Sequence, residues 1–405
     1  MTVLTDIGAL YTVPLDGGQD AVGRIDGAAL AVRDGRVAWV GRAADLPAAY
    51  AAAPRRSAEG RTVVPGLVDC HTHLAFGGER TGEFVARLRG QAYLDIARKG
   101  GGIRSTMAAT RAASDAELRA QTADALAAML RRGVTTVEAK SGYGLSARHE
   151  LRQLRALRDA GAASPQRVVA TCLALHTVPP EHAEDRGAYL EHVVRDVYPA
   201  VAAERLARFA DAFVEDAAFS PDEARRALAA AREHGLVPKL HADQLTDTGG
   251  AALAAALGAA SADHLEQISD AGIDALAASD TVAVSLPLAT LVLGVEPLPA
   301  RRLIERGVPV AVATDYNPGS APVHDLPLAL WAACVRQRMT PAEVLKGATA
   351  FGAKALRLGD VGSLLPGFAA DWVELDAPSV DAWLYSFRHD AVRATAIAGE
   401  VVAGA

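Results

Sequence analysis

A pair of histidines separated by one residue follows an apolar run in the first quarter of the chain. Residues 63–68 are mostly apolar and lead into Asp-Cys-His-Thr-His, which puts histidines at positions 71 and 73. Side chains on a strand alternate between its two faces, so His71 and His73 should point the same way. Two imidazoles one strand repeat apart form half of a metal site, although such a pair also occurs in ordinary loops.

Further polar residues stand at the ends of other predicted strands. His176 ends one strand, His241 another (KLHADQ), His264 the next (SADHLE), and Asp315 the last (ATDYNPGS). The carboxyl ends of the strands of a barrel meet at one rim, where active sites form. A histidine at one of these positions alone would suggest a structural, hydrogen-bonded residue, whereas the whole series predicts a site.

These residues predict metal-assisted hydrolysis of a C–N bond. His71, His73, His241 and Asp315 make a set of three nitrogens and one oxygen, which suits one zinc or ferrous ion with a position left for water. Such an ion lowers the pKa of its water towards about 7. Asp315 could move the proton from that water to a leaving nitrogen, and His264 could donate to the oxygen where charge develops.

A second metal would require a bridging ligand, often a carbamylated lysine on the fourth strand. That strand reads DAFVEDAAF and contains no lysine, so we predict one metal ion, Zn or Fe. Lys140 lies on the second strand, in EAKSGYG. Its expected role is a salt bridge with Glu138 or another acid of the rim.

The remaining polar residues of the rim suggest an anionic substrate. Arg80 follows Gly-Gly in a loop, where a guanidinium can hold a carboxylate at two points, although a surface arginine fits this position equally well. Tyr143 lies between two glycines and could present its phenol or pack on the barrel. Tyr93 could assist Arg80, with helix packing as the alternative. Gln244 offers a donor and an acceptor but cannot act as a general base. Three residues after Asp315 could donate to a polar substrate or only form a turn: Asn317, Gly319 and Ser320.

The elements that must position these residues alternate between strand and helix. Eight strands are predicted, at residues 67–73, 134–140, 167–176, 211–215, 237–241, 259–264, 281–286 and 308–315. Capping boxes predict helices that begin after Ser114 and Ser220, and Thr340-Pro341 predicts a third beginning. Eight such units predict a (β/α)8 barrel over residues 63–357. An open doubly wound sheet is the alternative, but the turn after the first strand lacks its glycine fingerprint.

The two ends of the chain predict short β-structure. Asp34-Gly35 joins two apolar runs as a hairpin, and residues 362–375 and 391–402 are short, β-rich and punctuated by glycine. We expect residues 1–62 and 358–405 to pair into one small β-sandwich domain beside the barrel. The predicted fold class is therefore α/β, a barrel with a small domain built from both chain ends.

Composition narrows the classes of partner. The 405 residues carry a formal net charge of −7 without a long basic block, which argues against nucleic acid and favours a small-molecule substrate. Three widely spaced cysteines fit a reduced, cytoplasmic protein. The first residues do not resemble a signal peptide, and the longest apolar stretch, residues 282–295, is too short for a membrane span.

Several motifs resemble the imidazolonepropionases of the amidohydrolase superfamily. They are PGLVDCHTHLAFGGERTGEF, KGGGI, GVTTVEAKSGYGL, KLHADQ, SADHLE and ATDYNPGSAP. The resemblance implies hydrolysis of 4-imidazolone-5-propanoate to N-formimidoyl-L-glutamate, the third step of histidine degradation, and a homodimer. It implies metal ligation by His71, His73, His241 and Asp315, and a carbonyl polarised by His264. It implies substrate contacts from Arg80, Tyr143, His176, Gln244, Asn317, Gly319 and Ser320.

Two other functions stay open at this point. A deaminase of guanine, cytosine or a related ring could use the same metal ligands, but it would not need a carboxylate clamp such as Arg80. A non-catalytic metal-binding barrel would leave Asp315 and His264 without a role.

Overall fold

Two separate eight-stranded sheets contain the named strands of the computed structural model, which describes residues 1–91, 101–216, 218–388 and 390–404. Tyr93 and the first two residues of the KGGGI motif lie outside the described residues. Among the helices of the described ranges, none combines the length and apolar character that crossing a bilayer requires.

The central sheet is parallel throughout and follows chain order. Its strands are β6 Leu67–Asp69, β7 Val134–Lys140, β8 Arg167–Leu175, β9 Phe209–Val214, β10 Val237–Ala242, β11 Ser261–His264, β12 Val282–Ser285 and β13 Val310–Val312. The backbone N of Asp315 donates to His71 O (3.0 Å), and that of His73 donates to Tyr316 O (2.8 Å). These bonds join the residues that follow the last strand to those that follow the first, so the sheet closes on itself and the predicted (β/α)8 barrel is confirmed.

Helices separate the strands and cover the barrel. Their bounds are Thr81–Leu88, Ile103–Ala112, Asp115–Arg131, Ala147–Ala163, Arg186–His192, Tyr198–Ala203, Pro221–Glu233, Gly250–Ala256, Asp270–Ala277, Pro287–Leu293, Ala300–Glu305, Leu326–Gln337, Pro341–Gly347, Ala350–Ala355 and Val380–Ser386. The three predicted helix beginnings are confirmed, each with a complete capping box at Ser114, Ser220 or Thr340. The helix after Ser220 buries one stripe at helical spacing, namely Ala224, Ala227, Leu228 and Ala231.

The first and last barrel strands are shorter than the sequence predicts. β6 ends at Asp69 instead of residue 73, and β13 ends at Val312 instead of residue 315. The Asp69 carboxylate accepts from Thr314 N (3.1 Å) and Thr314 Oγ1 (2.7 Å), so a side chain takes the place of ladder hydrogen bonds. Asp315 has φ +57°, a left-handed conformation outside the extended region of a regular strand.

The second sheet unites the two ends of the chain, as predicted. Its strands are β1 Thr2–Tyr11, β2 Arg24–Arg33, β3 Arg36–Arg42, β4 Arg55–Ser57, β5 Thr62–Pro65, β14 Trp372–Leu375, β15 Val392–Ile397 and β16 Glu400–Gly404. β5 pairs antiparallel with β14, which joins the N-terminal strands to the C-terminal ones. Ala370 N donates to Gly35 O (2.9 Å) and Gly399 N donates to Ala370 O (2.8 Å). These bonds bring the outer hairpins together around an apolar core that includes Leu30 and Trp372.

β5 belongs to the small sheet and Gly66 separates it from β6, so the chain enters the barrel after Pro65. A Cβ at Gly66 would lie 2.3 Å from Thr135 Oγ1, which leaves space only for glycine at this crossing. The division of the chain at 62/63 and 357/358 stays a prediction.

Candidate metal and substrate site

Closure of the barrel brings polar residues that follow its first strand next to one that follows its last strand. Nε2 of His71 and Nε2 of His73 each lie 3.4 Å from Asp315 Oδ1. Ligand atoms of these three buried residues lie within 4.8 Å of one another, close enough to share one cation. His73 and Asp315 are each about 3 % exposed at the side chain, so the cluster lies beneath the rim and not on the surface.

A second group shares His71. Ligand atoms of His71, His241 and His264 also lie within 4.8 Å of one another. The ring centroids of His71 and His241 are 4.6 Å apart, and those of His241 and His264 are 5.4 Å apart. The geometry therefore adds His264 to the residues that could hold a cation, although its ring lies farther from that of His71 (5.8 Å) than the His241 ring does. The sequence suggested a separate role for His264.

Several ring nitrogens in this cluster are buried without a hydrogen bond. His71 Nδ1 donates to Asp263 Oδ2 (2.6 Å), because a carboxylate can only accept, while His71 Nε2 has no partner among the described residues. His241 Nδ1 is 3.1 Å from Asp211 Oδ2 but lacks hydrogen-bond geometry, and its Nε2 also has no partner within the described chain. Buried polar atoms are normally satisfied, so a divalent cation fits this donor set.

The protonation states of Asp315 and His241 also favour a cation. Burial alone would raise the pKa of the Asp315 carboxyl, but the neighbouring rings of His71 and His73 hold it well below the ordinary value. Burial lowers the pKa of His241 to about 3, because desolvation outweighs the attraction of Asp211. At neutral pH the carboxyl is ionised and the imidazole is neutral, which are the forms that bind metal.

Left-handed backbone turns two neighbouring side chains into the same space. Asp263 and His264 are consecutive, so a regular strand would direct them to opposite faces. His264 has φ +80° and Leu265 has φ +70°. Both side chains consequently lie close to His71. Asp263 Oδ2 is 2.6 Å from His71 Nδ1, and the ring centroids of His264 and His71 are 5.8 Å apart. Such conformations cost on the order of 1 kcal/mol or more and cluster at functional sites.

Tyr143 and His176 lie beside the candidate metal ligands. Their ring centroids are 5.3 Å apart, and the His73 ring is 5.8 Å from Tyr143 and 5.4 Å from His176. His176 Nδ1 lies 3.0 Å from Gly142 O, a distance at which it donates to that carbonyl. The loop with the Ser-Gly-Tyr-Gly sequence therefore presents both rings towards the cluster.

Arg80 lies in a cavity of about 670 Å³, which the segment after Asp315 also lines. Its side chain is only 10 % exposed, which excludes the alternative of a surface arginine. Glu83 Oε2 accepts from Arg80 Nε (2.9 Å) and Arg80 Nη2 (2.7 Å) and so orients the guanidinium. Tyr316 and Gly319 line the same cavity, which extends from Arg80 to the residue next to Asp315.

The segment after Asp315 forms a turn that hydrogen bonds between its own residues stabilise. Asn317 Oδ1 accepts from the backbone N of Gly319 and of Ser320, both at 2.8 Å, and Asn317 Nδ2 donates to Asp315 O (2.6 Å). Ser320 Oγ donates to Asp315 Oδ2 (3.4 Å). Turn chemistry therefore accounts for Asn317, and contact of this segment with substrate stays a prediction. Gln244 is half-buried in the loop after β10.

Comparisons with known proteins agree with this geometry. An amidohydrolase family model matches residues 62–402, and a model of the bacterial imidazolonepropionase-like composite domain matches residues 28–53. The chain is 50 % identical over 373 residues to an imidazolonepropionase of Anaeromyxobacter dehalogenans strain 2CP-1, covering 91 % of this chain and 89 % of that one. This chain belongs to the imidazolonepropionases of the amidohydrolase family. A relative in Ralstonia nicotianae, also an imidazolonepropionase, is 48 % identical over 364 residues, 89 % of each chain.

Solved structures share the fold of this chain at low sequence identity. Atrazine chlorohydrolase TrzN from Arthrobacter aurescens TC1, complexed with zinc, has a TM-score of 0.73 at 16 % identity, covering 100 % of this chain and 95 % of that one. Escherichia coli guanine deaminase has a TM-score of 0.74 at 16 % identity, covering 100 % and 99 %. These likenesses show the shared fold and nothing about the substrate.

The candidate site also contains residues that sequence reasoning missed. Glu266 is buried, lies 3.7 Å from His264 Nδ1, and has no hydrogen bond to either oxygen from the described residues. Arg87 Nη2 donates to Gly319 O (3.2 Å) and adds a second guanidinium to the Arg80 cavity. The only sequence signal for Glu266 is its position two residues after His264, because residues two apart on a regular strand lie on the same face.

The expected salt bridge of Lys140 is present. Its Nζ lies 2.8 Å from Glu138 Oε1 and 2.9 Å from Asp211 Oδ2, and all three side chains are fully buried. Sequence reasoning anticipated Glu138 as a partner but did not single out Asp211 or Asp263, because neither ends its strand.

Proposed function

We propose that this protein hydrolyses the cyclic amide C–N bond of 4-imidazolone-5-propanoate to give N-formimidoyl-L-glutamate, the third step of histidine degradation. The observation that carries the proposal is a buried cluster of histidines and one ionised aspartate next to a cavity with an oriented arginine. The family membership supports the same reaction, because relatives at about 50 % identity are imidazolonepropionases.

One divalent ion, zinc or ferrous iron, would be held by His71, His73, His241 and Asp315. The ion would supply a water whose pKa is lowered towards about 7. Ligand atoms of His264, His241 and the shared ligand His71 lie within 4.8 Å of one another, so a contribution from the His264 ring to the ion is compatible with the same site.

The residues of the chain would handle the proton and the developing charge. Asp315, which is ionised and faces the two histidines, takes a proton from the attacking water and returns it to the departing ring nitrogen. His264 donates to the carbonyl oxygen as negative charge accumulates there. In this scheme Tyr143, His176 and Gln244 contact the substrate ring, and Asn317, Gly319 and Ser320 line the other side of the pocket.

Arg80 would bind the propionate of the substrate. We expect Arg80→Ala to raise KM about 10- to 100-fold, because one charge-assisted interaction contributes roughly 1.5–3 kcal/mol. The effect on kcat should be smaller, since the carboxylate lies away from the reacting bond. Steady-state kinetics measure both constants. Arg148→Ala, at an exposed arginine outside the Arg80 cavity, is the control and should leave KM unchanged. An unchanged KM in Arg80→Ala would remove the carboxylate assignment.

The proposed reaction is tested with freshly prepared imidazolonepropionate. Wild-type protein should accelerate the loss of the ring's ultraviolet absorbance above the spontaneous rate, and metal analysis should find one zinc or iron per chain. Absence of acceleration in metal-loaded protein would reject the proposal. Release of ammonia from guanine or cytosine in a parallel assay would instead favour a deaminase.

We also propose that the protein is a homodimer, as the family resemblance implies, and that it is cytoplasmic, as its three widely spaced cysteines suggest. Light scattering coupled to size-exclusion chromatography tests the dimer, which should have twice the 42.0 kDa mass of one chain. A mass of one chain at micromolar concentration would contradict it. Cell fractionation with an antibody against the protein tests the location.

A further inference from the structure

Five charged side chains fill the barrel beneath the candidate metal ligands, and the proposed mechanism uses none of them. They are fully buried and comprise three carboxylates and two ammonium groups: Glu138, Lys140, Asp211, Lys239 and Asp263. Neighbouring inward positions on β7 supply Glu138 and Lys140, as the two-residue period of a strand requires. Charges in such a place are costly unless each has a partner, so the arrangement needs a reason.

Lys140 is the centre of this cluster. Its Nζ lies 2.8 Å from Glu138 Oε1, 2.9 Å from Asp211 Oδ2 and 3.5 Å from Asp263 Oδ2. Lys239 Nζ lies farther from the carboxylates, 3.6 Å from Glu138 and 3.9 Å from Asp263, and donates to Cys70 O (3.1 Å). Lys140 therefore contacts both aspartates, whereas Lys239 chiefly supports the backbone.

Each of the two aspartates faces one candidate metal ligand. Asp263 Oδ2 lies 2.6 Å from His71 Nδ1, and Asp211 Oδ2 lies 3.1 Å from His241 Nδ1. The oxygen that contacts the histidine is in both cases the oxygen that contacts Lys140. A carboxylate that accepts from Nδ1, as Asp263 does from His71, keeps the proton there, so that Nε2 presents its lone pair to a metal. Asp211 faces the same atom of His241 at close range, without hydrogen-bond geometry.

We propose that Lys140 is a positioning residue that holds His71 and His241 in ligand geometry through Asp263 and Asp211. Without its ammonium group, three buried carboxylates would share the single charge of Lys239 and repel one another. The two aspartates would then move away from their histidines, and the ring orientations would be lost. This inference rests on the metal site of the proposed function.

The test is the zinc affinity of metal-free protein, measured by competition with a chromophoric chelator. Lys140→Met keeps the length of the side chain and removes its charge. We expect it to bind zinc about 10- to 100-fold more weakly, the usual cost of losing an outer partner of a metal ligand. Asp263→Asn should weaken binding by a similar factor. The double variant should lose less than the product of the two factors, because both changes break the same connection.

Lys346→Met is the matched control. Lys346 is also a fully buried lysine, but its Nζ donates to Asp16 O (2.8 Å) and Gly18 O (3.0 Å), away from the cluster. We expect this variant to lose stability and to keep wild-type zinc affinity. The visible spectrum of cobalt-loaded protein gives a second readout, since its bands depend on ligand geometry. The bands should shift in Lys140→Met and stay in place in Lys346→Met.

The outcomes separate this inference from the proposed function. Wild-type zinc affinity in folded Lys140→Met, or an equal loss in Lys346→Met, would overturn the role of Lys140 while leaving the metal site intact. Should Lys140→Met fail to fold by circular dichroism, Lys140→Gln and Asp263→Asn take its place, and wild-type affinity in either overturns the inference. Wild-type protein that binds no divalent ion would overturn the metal site and this inference together.

Discussion

Gly319 and Arg80 occupy one small space at the edge of the site. A Cβ on Gly319 would lie 2.1 Å from Arg80 Nη1, far inside van der Waals contact. Glu83 holds the other edge of the guanidinium, so Arg80 has little freedom to withdraw. At the scale of residues, the absence of a side chain at 319 therefore sets the position of the proposed carboxylate anchor.

We expect Gly319→Ala to raise KM for imidazolonepropionate about tenfold, because overpacking of this kind costs on the order of 1–3 kcal/mol and displaces the guanidinium. Initial-rate kinetics over a range of substrate concentrations measure it. Gly82→Ala, in the helix that follows Arg80, adds the same methyl group where no atom lies within 4 Å. It should leave KM unchanged. Equal KM values in the two variants would contradict the steric argument.

At the scale of elements, one helix shapes the loop that presents Tyr143. Glu150, in the helix Ala147–Ala163, accepts from the backbone N of Gly142 (3.2 Å), Gly144 (2.9 Å) and Leu145 (2.7 Å). Burial raises the pKa of Glu150, although these hydrogen bonds oppose the rise. The two glycines allow the chain to turn around the carboxylate, and the buried acid in turn fixes the loop.

Glu150→Gln should loosen this loop. The substitution replaces one carboxylate oxygen with an NH2 group, which is a donor and would face backbone N–H donors. We therefore expect the free energy of unfolding to fall by about 1–3 kcal/mol and KM to rise. Urea denaturation and steady-state kinetics measure the two effects. Glu117→Gln, in the capping box of the helix Asp115–Arg131, is the control. It should cost some stability without changing KM, and a similar KM rise there would argue against a local effect.

At the scale of the whole molecule, the proposed metal site lies where the barrel closes. His71 and His73 follow the first barrel strand and Asp315 follows the last, and backbone hydrogen bonds join the same segments. A bound ion would therefore add a second connection between the two ends of the central sheet. Binding to the folded state alone stabilises it by mass action.

Removal of the metal should consequently lower the thermal midpoint by about 5 °C or more, because saturating ligand contributes roughly 3–4 kcal/mol. Differential scanning calorimetry before and after chelation measures the shift, and added zinc should restore the original midpoint. Asp315→Ala should show a much smaller response to chelator and zinc. A wild-type midpoint that stays constant while metal analysis confirms removal would contradict a structural contribution of the ion.

The sequence by itself determined the features that depend on local pattern. Eight strand segments that alternate with helices predicted the barrel, and the capping boxes predicted where helices begin, since such signals involve residues a few positions apart. The His-x-His pair and the residues at strand ends predicted the cluster, because parallel strands end on one rim. Short β-rich runs at both chain ends also predicted one small β-domain, whereas the antiparallel pairing of β5 with β14 came from the structure.

Only the tertiary structure decided which distant side chains meet. The Asp69–Thr314 bonds, the Glu83 partner of Arg80 and the placement of Glu266 have little or no signature in spacing. The same holds for Asp211 and Asp263, which reach Lys140 from two other strands. Residues far apart in the chain become neighbours through closure of the barrel, and left-handed backbone at His264 and Asp315 then redirects side chains against the strand period.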